Sequence, residues 1–168
     1  LIINWQAILD EHGKAVWNTA YRLLGNDADA SDCFQQTFAD ALTFSKKQNI
    51  KNFRAILLKF ATRRSLDVLR QRCKKTNPVS LELITEMDLK AEDCPIAKAE
   101  NKELGEVLLN AFSLLDPDEA QIFCLRHIEN LSMNEIGQTF GLKENHVGVI
   151  VHRAKNRLKL LLEKHYRG

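Results

Sequence analysis

Ser132-Met-Asn-Glu-Ile-Gly-Gln-Thr-Phe-Gly-Leu-Lys-Glu-Asn-His-Val-Gly-Val-Ile-Val151 lies inside a longer stretch, Asp116 to Lys164, that decides the fold. Ser132 followed three residues later by Glu135 fits a capping box, which opens a helix by satisfying its first free amides. Ile136 and Phe140, four apart, share one face. Gly141 then supplies the left-handed conformation that a helix C-terminus often needs. A second helix is expected to begin near Lys143 to Asn145. Its apolar residues Val147, Ile150, Val151, Ala154, Leu158 and Leu161 recur at three- and four-residue steps and make one buried stripe. Arg153, Lys155, Arg157 and Lys159 are interspersed among them. Two short-linked helices, the second basic, match a DNA-binding helix-turn-helix; the plainer alternative is a helical hairpin with a solvated basic face.

Working outward, Asp116-Pro117 starts a preceding helix, with proline at its first position. That helix runs through Ile122, Phe123, Leu125 and Arg126 to His127. Another is expected from Ile96 to Leu115, with Leu104, Val107, Leu108, Ala111 and Phe112 on its apolar side. Residues 76–96 have no sustained period and contain Pro78 and Pro95, so they read as a linker. Thr76-Asn77-Pro78 ends a long helix from about Phe53 to Cys73. On that helix Lys59, Arg63, Arg70 and Lys74 fall within one sector at the helical angle of about 100° per residue. Ser45 to Asn52 reads as a polar loop carrying Lys46, Lys47 and Lys51. Residues 5–24 form a first helix, stopped by Gly25-Asn26-Asp27. A second opens at Asp27 to Asp29, with Ala30, Cys33, Phe34, Thr37, Phe38, Ala41 and Leu42 in a three-four rhythm and Asp32, Gln35, Gln36 and Asp40 on the opposite, outward face. That polar face is either solvated surface or a dock for another protein. The expected fold class is all-α: two small helical domains, residues 1–75 and 97–168, joined by an acidic linker over 76–96.

The net charge of +2 conceals segregation. Residues 1–45 sum to −4, 46–75 to +10, 76–119 to −8 and 120–168 to +4. Solubility does not require eleven basic side chains against one acid, Asp67, over residues 46–75. Cations aligned on a rigid helix suit a phosphate backbone, so two polyanion-facing surfaces separated by an acidic segment are expected.

The remaining composition excludes other classes. With 45% hydrophobic and 27% charged residues the chain is that of a globular protein. No apolar run is long enough to span a bilayer, and no secretory leader pattern is visible. A cytoplasmic location and no membrane insertion are therefore expected. Cys33, Cys73, Cys94 and Cys124 form no CxxC pair, and no histidine stands at zinc-ligand spacing from them, so no metal is expected. Cys33 and Cys124 lie in apolar contexts suited to buried thiols, whereas Cys94 stands beside Pro95 in a polar stretch. The five histidines have no neighbouring serine or cysteine in a hydrolase-like motif. With no phosphate-cradling glycine loop either, neither catalysis nor a cofactor is expected.

Two separated motifs resemble the bacterial sigma factors, specifically the two-domain extracytoplasmic-function branch. The first is Asp29-Ala-Ser-Asp-Cys-Phe-Gln-Gln-Thr-Phe38, similar to D-A-E-D-L-V-Q-E-V-F in that family. It is followed by Phe53-Arg-Ala-Ile-Leu-Leu-Lys-Phe-Ala61 and Asp67-Val-Leu-Arg70. The second is Leu115-Asp-Pro-Asp-Glu-Ala-Gln-Ile-Phe123, similar to L-P-x-x-x-R-x-V-F. It leads into Leu131-Ser-Met-Asn-Glu-Ile136, Phe140-Gly-Leu142, Val147 and His152-Arg-Ala154. Together they span most of residues 10–162. The resemblance implies a region-two domain, then a region-four domain, in a factor that carries core RNA polymerase to promoters. Asp32, Gln35 and Gln36 would dock the clamp helices of the largest subunit. Lys46, Lys47 and Lys51 of the loop, with Lys59, Arg63, Arg70 and Lys74, would serve the minus-ten element. The helix from Lys143 would read the minus-thirty-five element, through Lys143, Asn145, His146, Val149, His152, Arg153, Lys155 and Arg157. The linker would thread towards the RNA exit path. Further partners implied are the polymerase flap and an anti-sigma factor.

The chain departs from that family at informative positions. Gly148, Val149 and Ile150 stand where Lys-Ser-Arg is frequent, and Lys143 replaces the usual capping serine. Ile56 replaces a tryptophan and Thr62-Arg63 an Arg-Asn pair. Asn145 can read adenine and Val149 can touch a thymine methyl, but direct readout is thin. Two other readings therefore stand beside the first: a diverged adaptor that docks polymerase with little sequence reading, and a helix-turn-helix repressor. A repressor would leave the basic central helix and the acidic linker unexplained.

Overall fold

A computed structural model describes residues 2–76 and 102–167, with side chains described over 2–74 and 107–164. Seven helices make up the described residues, and they contain no strand. They are α1 (Trp5–Leu24), α2 (Asp27–Lys47), α3 (Phe53–Thr76), α4 (Lys102–Leu114), α5 (Pro117–His127), α6 (Met133–Phe140) and α7 (Glu144–Arg167). The linker expected over 76–96 lies outside the described residues from 77 onward, as do Cys94 and the beginning of the helix expected from Ile96.

Short polar side chains set most of the helix starts. The Asn4 side chain accepts from the amide of Ala7, Asn26 from Asp29, and Asn52 from Ala55. Asp116 accepts from the amides of Asp118 and Glu119, ahead of Pro117. Each such bond satisfies an amide that the helix itself cannot, and removing one costs about 1 kcal/mol. One boundary differs from the sequence reading. The residues expected as a loop from Ser45 continue α2 to Lys47, and the amide of Gln48 still bonds the carbonyl of Phe44. Lys46 and Lys47 occupy the last turn, where positive charge meets the negative end of the helix dipole.

Helices α1, α2 and α3 enclose a first core of Ile8, Val16, Ala41, Leu57 and Ala61. Trp5 and Phe53 meet edge-to-face there, ring centroids 6.0 Å apart. The other two cores are shared between the halves of the chain. In one, Leu23, Leu66 and Leu69 pack with Leu109, Phe112, Cys124 and Ala154. In the other, Ala55 and Leu58 pack with Ile122, Leu125, Ile136 and Val147. Burying one leucine completely contributes about 1.5–3 kcal/mol. Helix α3 thus serves both halves, and α4, α5 and α6 cover the side of it that α1 and α2 leave open.

Candidate nucleic-acid interface

The turn between α6 and α7 follows from its glycines. The Ser132 hydroxyl accepts the amide of Glu135 and starts α6. Gly141 ends α6 at φ +69, and the next amide, that of Leu142, reaches back to the carbonyl of Gly137 at 2.8 Å. At Gly137 an added Cβ would stand 2.6 Å from the Leu142 carbonyl oxygen, so the two backbones meet closer than any side chain allows. Before α6, Asn130 takes φ +58, a conformation asparagine tolerates better than most residues.

This turn fixes the rotation of α7. Val147, Ile150, Val151, Ala154 and Leu158 point into the core, as expected. Lys143, Asn145, His146, Val149, His152, Arg153, Lys155 and Arg157 are all exposed. Within the set, the Asn156 amide nitrogen lies 3.3 Å from His152 Nε2. Arg153 and Arg157 reach back to Glu119, at 3.6 and 3.3 Å. Glu119 is 6% exposed, so α5 places a buried carboxylate beneath the basic side of α7. The sequence reading passed over Glu119. Its signal was its place in helical register with the apolar Ile122 and Phe123, three and four residues on.

The basic elements of the N-terminal half are only partly open. Lys46, Lys47, Lys51, Arg63 and Lys74 are exposed, but Lys59 and Arg70 are half-buried. The four cations lie in one sector of α3, but two of them, Lys59 and Arg70, are partly covered there. The Lys59 ammonium reaches the carbonyl of Thr139 at 3.4 Å and lies 4.3 Å from the centroid of the Phe140 ring. Burial, and then the charge of Arg63, push the Lys59 ammonium below its ordinary range. One Arg70 nitrogen bonds Asp67 at 3.2 Å, while the other is buried with no partner among the described residues. The reason is packing: α5 and α6 occupy the space in front of that sector.

On α2, Asp32, Gln35 and Gln36 are exposed along one outward face, with Leu42 43% exposed further along the helix. Beside them Arg64 grips Asp40 with two bonds, at 2.9 and 3.1 Å. Partial burial pushes the Asp40 carboxyl up, but the hydrogen bonds from Arg64 and Gln36 outweigh it and hold it below the usual carboxylate range. Cys33, Cys73 and Cys124 are buried, and burial pushes the Cys124 thiol up to about 12. No cluster that could hold a metal ion occurs among the described residues.

Comparison with known proteins supplies the frame for this geometry. Residues 8–74 match the family model of sigma-70 region 2, and residues 111–160 match that of sigma-70 region 4. The first covers α1 to α3, and the second runs from the end of α4 through the helix-turn-helix. The chain belongs to the sigma-70 family. Over 165 residues it is 32% identical to the ECF RNA polymerase sigma factor SigE of Mycolicibacterium smegmatis, covering 96% of this chain and 63% of that protein. The chain thus spans somewhat less than two thirds of that relative's length. Its fold is similar to that of the sigma factor RpoE from Bartonella quintana, solved in complex with the anti-sigma factor NepR. The TM-score is 0.58 at 18% identity, over 96% of this chain and 98% of that one. Within the sigma-70 frame, α2 and α3 are region-two elements and α7 is the second helix of region four.

Proposed function

We propose that this chain is a promoter-specificity factor of the extracytoplasmic-function type. It binds core RNA polymerase and directs it to minus-ten and minus-thirty-five type elements, and the polymerase performs the chemistry. The observation that carries the reading is the presence, in one chain, of a region-two match with an exposed polar face on α2 and a region-four match ending in an exposed recognition helix. Asp32, Gln35 and Gln36 dock the clamp helices of the largest subunit. Lys46, Lys47, Lys51, Arg63 and Lys74 meet minus-ten phosphates, joined by Lys59 and Arg70 once these are uncovered. Lys143, Arg153, Lys155 and Arg157 meet phosphates at the upstream element, where Asn145, His146, Val149 and His152 are the base readers. A groove of about 750 Å³, in which Leu108, Phe123, Leu158 and Leu162 lie beside the polar His152, Lys155, Asn156, Lys159 and Glu163, is the seat for the polymerase flap. An anti-sigma partner is part of the same proposal, prompted by the complex in which the Bartonella protein was solved.

The adaptor reading keeps one specific observation. Of Gly148, Val149 and Ile150, only Val149 faces outward: Ile150 is 8% exposed, and Gly148 backs onto Met133. The deciding experiment is transcription in vitro from a genomic fragment library, with core polymerase and with or without this chain. New start sites sharing upstream and downstream motifs support the sigma reading. Polymerase binding without any enriched sequence transfers support to the adaptor.

A further inference from the structure

We infer that Asp40, braced by Arg64, is a positioning residue for polymerase binding: it turns the Gln36 amide so that the carbonyl oxygen is the end offered to the polymerase. The inference rests on the reading of the outward face of α2 as the polymerase dock. Asp32, Gln36 and Asp40 follow one another at four-residue steps on α2 and so share one ridge of the helix. The Gln36 side-chain nitrogen donates to Asp40 Oδ1 at 3.0 Å. Asp40 also accepts two bonds from Arg64 on α3, at 2.9 Å to Oδ2 and 3.1 Å to Oδ1. A side chain of the dock is thus tied, through one carboxylate, to a second helix.

An ionised carboxylate can only accept hydrogen bonds, whereas a glutamine amide has one donor end and one acceptor end. Partial burial pushes the Asp40 carboxyl up, but the bonds from Arg64 and Gln36 hold it below the usual carboxylate range, so it is ionised at neutral pH. The end of Gln36 that meets Asp40 is therefore the NH2 group. Its carbonyl oxygen is left over for a partner. Asp40 itself has little left to offer, since three of its roughly four acceptor sites are taken and Arg64 offsets its charge.

The ridge consequently presents two acceptors one turn apart, the exposed Asp32 carboxylate and the Gln36 carbonyl. The group that answers both is a cationic donor, an arginine or lysine side chain on the clamp helices. In the free chain an exposed bond between residues four apart adds little to stability. Its effect appears when the polymerase excludes water. A glutamine fixed beforehand loses no rotamer freedom on docking, and one turned the wrong way sets donor against donor.

The test measures the Kd of the full chain for its core polymerase by fluorescence anisotropy, with helix content from circular dichroism. Gln36→Ala should weaken binding about tenfold, as loss of a desolvated bond to a charged group does. Asp40→Ala should weaken it about fivefold, the scale of immobilising one flexible side chain. The double variant should bind no worse than Gln36→Ala alone, because Asp40 acts only through Gln36. Arg64→Ala leaves Asp40 in place and should weaken binding by less than Asp40→Ala. Exchanging the pair, Asp40→Asn with Gln36→Glu, reverses the bond between them but keeps an acceptor facing outward, and should bind at least as tightly as the parent. An unchanged Kd with Asp40→Ala overturns the positioning role. So do losses that multiply in the double variant, which would make Asp40 a contact residue. An exchanged pair that binds as weakly as Gln36→Ala overturns the acceptor assignment. An unchanged Kd with Asp32, Gln35 and Gln36 all replaced by lysine faults the dock itself. Should Asp40→Ala lose helix, Arg64→Ala and the exchanged pair decide.

Discussion

Two glycines on the helix-turn-helix illustrate opposite demands at the scale of single residues. Gly137 has no room for a methyl group, because the obstacle is the Leu142 backbone at 2.6 Å rather than a flexible side chain. Gly137→Ala is expected to cost about 2 kcal/mol in urea unfolding, as strain at a crowded backbone site does. Gly148 has room, since an added Cβ would meet only Met133 Sδ at 3.7 Å. Gly148→Ala should therefore recover about 1 kcal/mol of helix propensity and raise Tm by about 2–4 °C. The same melts with both variants check the turn geometry, which fails if the two shifts share a sign. Asp40 offers a pH test. Its folded carboxyl sits below the unfolded value, held there by Arg64 and Gln36 against partial burial. Stability from this pair is complete above the unfolded carboxylate range and is lost as pH falls through the folded value. Asp40→Asn should flatten the loss of stability between about pH 5 and pH 2, measured by denaturant midpoints at each pH.

At the scale of the helix, the proposed function gives α7 two kinds of contact to separate. Phosphate ligands set affinity, whereas base readers set preference. Asn145→Ala should reduce promoter discrimination by about 1–3 kcal/mol if the side chain grips adenine with two bonds. Lys155→Ala should weaken all sequences alike and lower the salt slope by about one. Competition binding of variant-loaded polymerase on randomised duplexes checks both, and an unchanged enriched motif with Asn145→Ala would place the base reader elsewhere on α7. The exposed side of α7 was legible in the sequence because its apolar residues keep one helical period from Val147 to Leu158. The starts of α1, α2, α5 and α6 were legible for a related reason: a short polar side chain stands before each periodic run. The end of α2 was not, since Ser45 to Lys47 are polar and only hydrogen bonding shows that the helix continues. Nor was the second buried side of α3. Ala55, Ile56, Leu57 and Leu58 are four consecutive buried residues, more than one stripe can hold. Such a run marks a helix covered all round. The basic residues that follow hid this, because their spacing fits an open cationic face equally well.

At the scale of the whole molecule, α3 makes the two halves depend on each other. Leu58 is 1% exposed and packs in the core built mainly from the C-terminal half. Leu58→Ala, although in the N-terminal half, should destabilise the whole chain by about 2–5 kcal/mol. Heat unfolding of the parent chain, followed by circular dichroism and by tryptophan fluorescence, should give one coincident transition. The tryptophans, Trp5 and Trp17, both lie on α1, so fluorescence reports the N-terminal half. A fluorescence transition separated from the loss of α4–α7 helix would show that the shared cores contribute little.

The placement of Cys73 has a practical outcome. Its thiol is buried on α3, 3.2 Å from the Ser113 hydroxyl of α4, so it sits directly on the seam between the halves. A thiol reagent can reach that sulfur only when the seam parts or the chain unfolds. Where reaction is fast relative to reclosure, its rate counts opening events; where it is slow, its rate reports the fraction of time spent apart. The protein thus contains its own clock for domain separation, readable by mass spectrometry without any added label site.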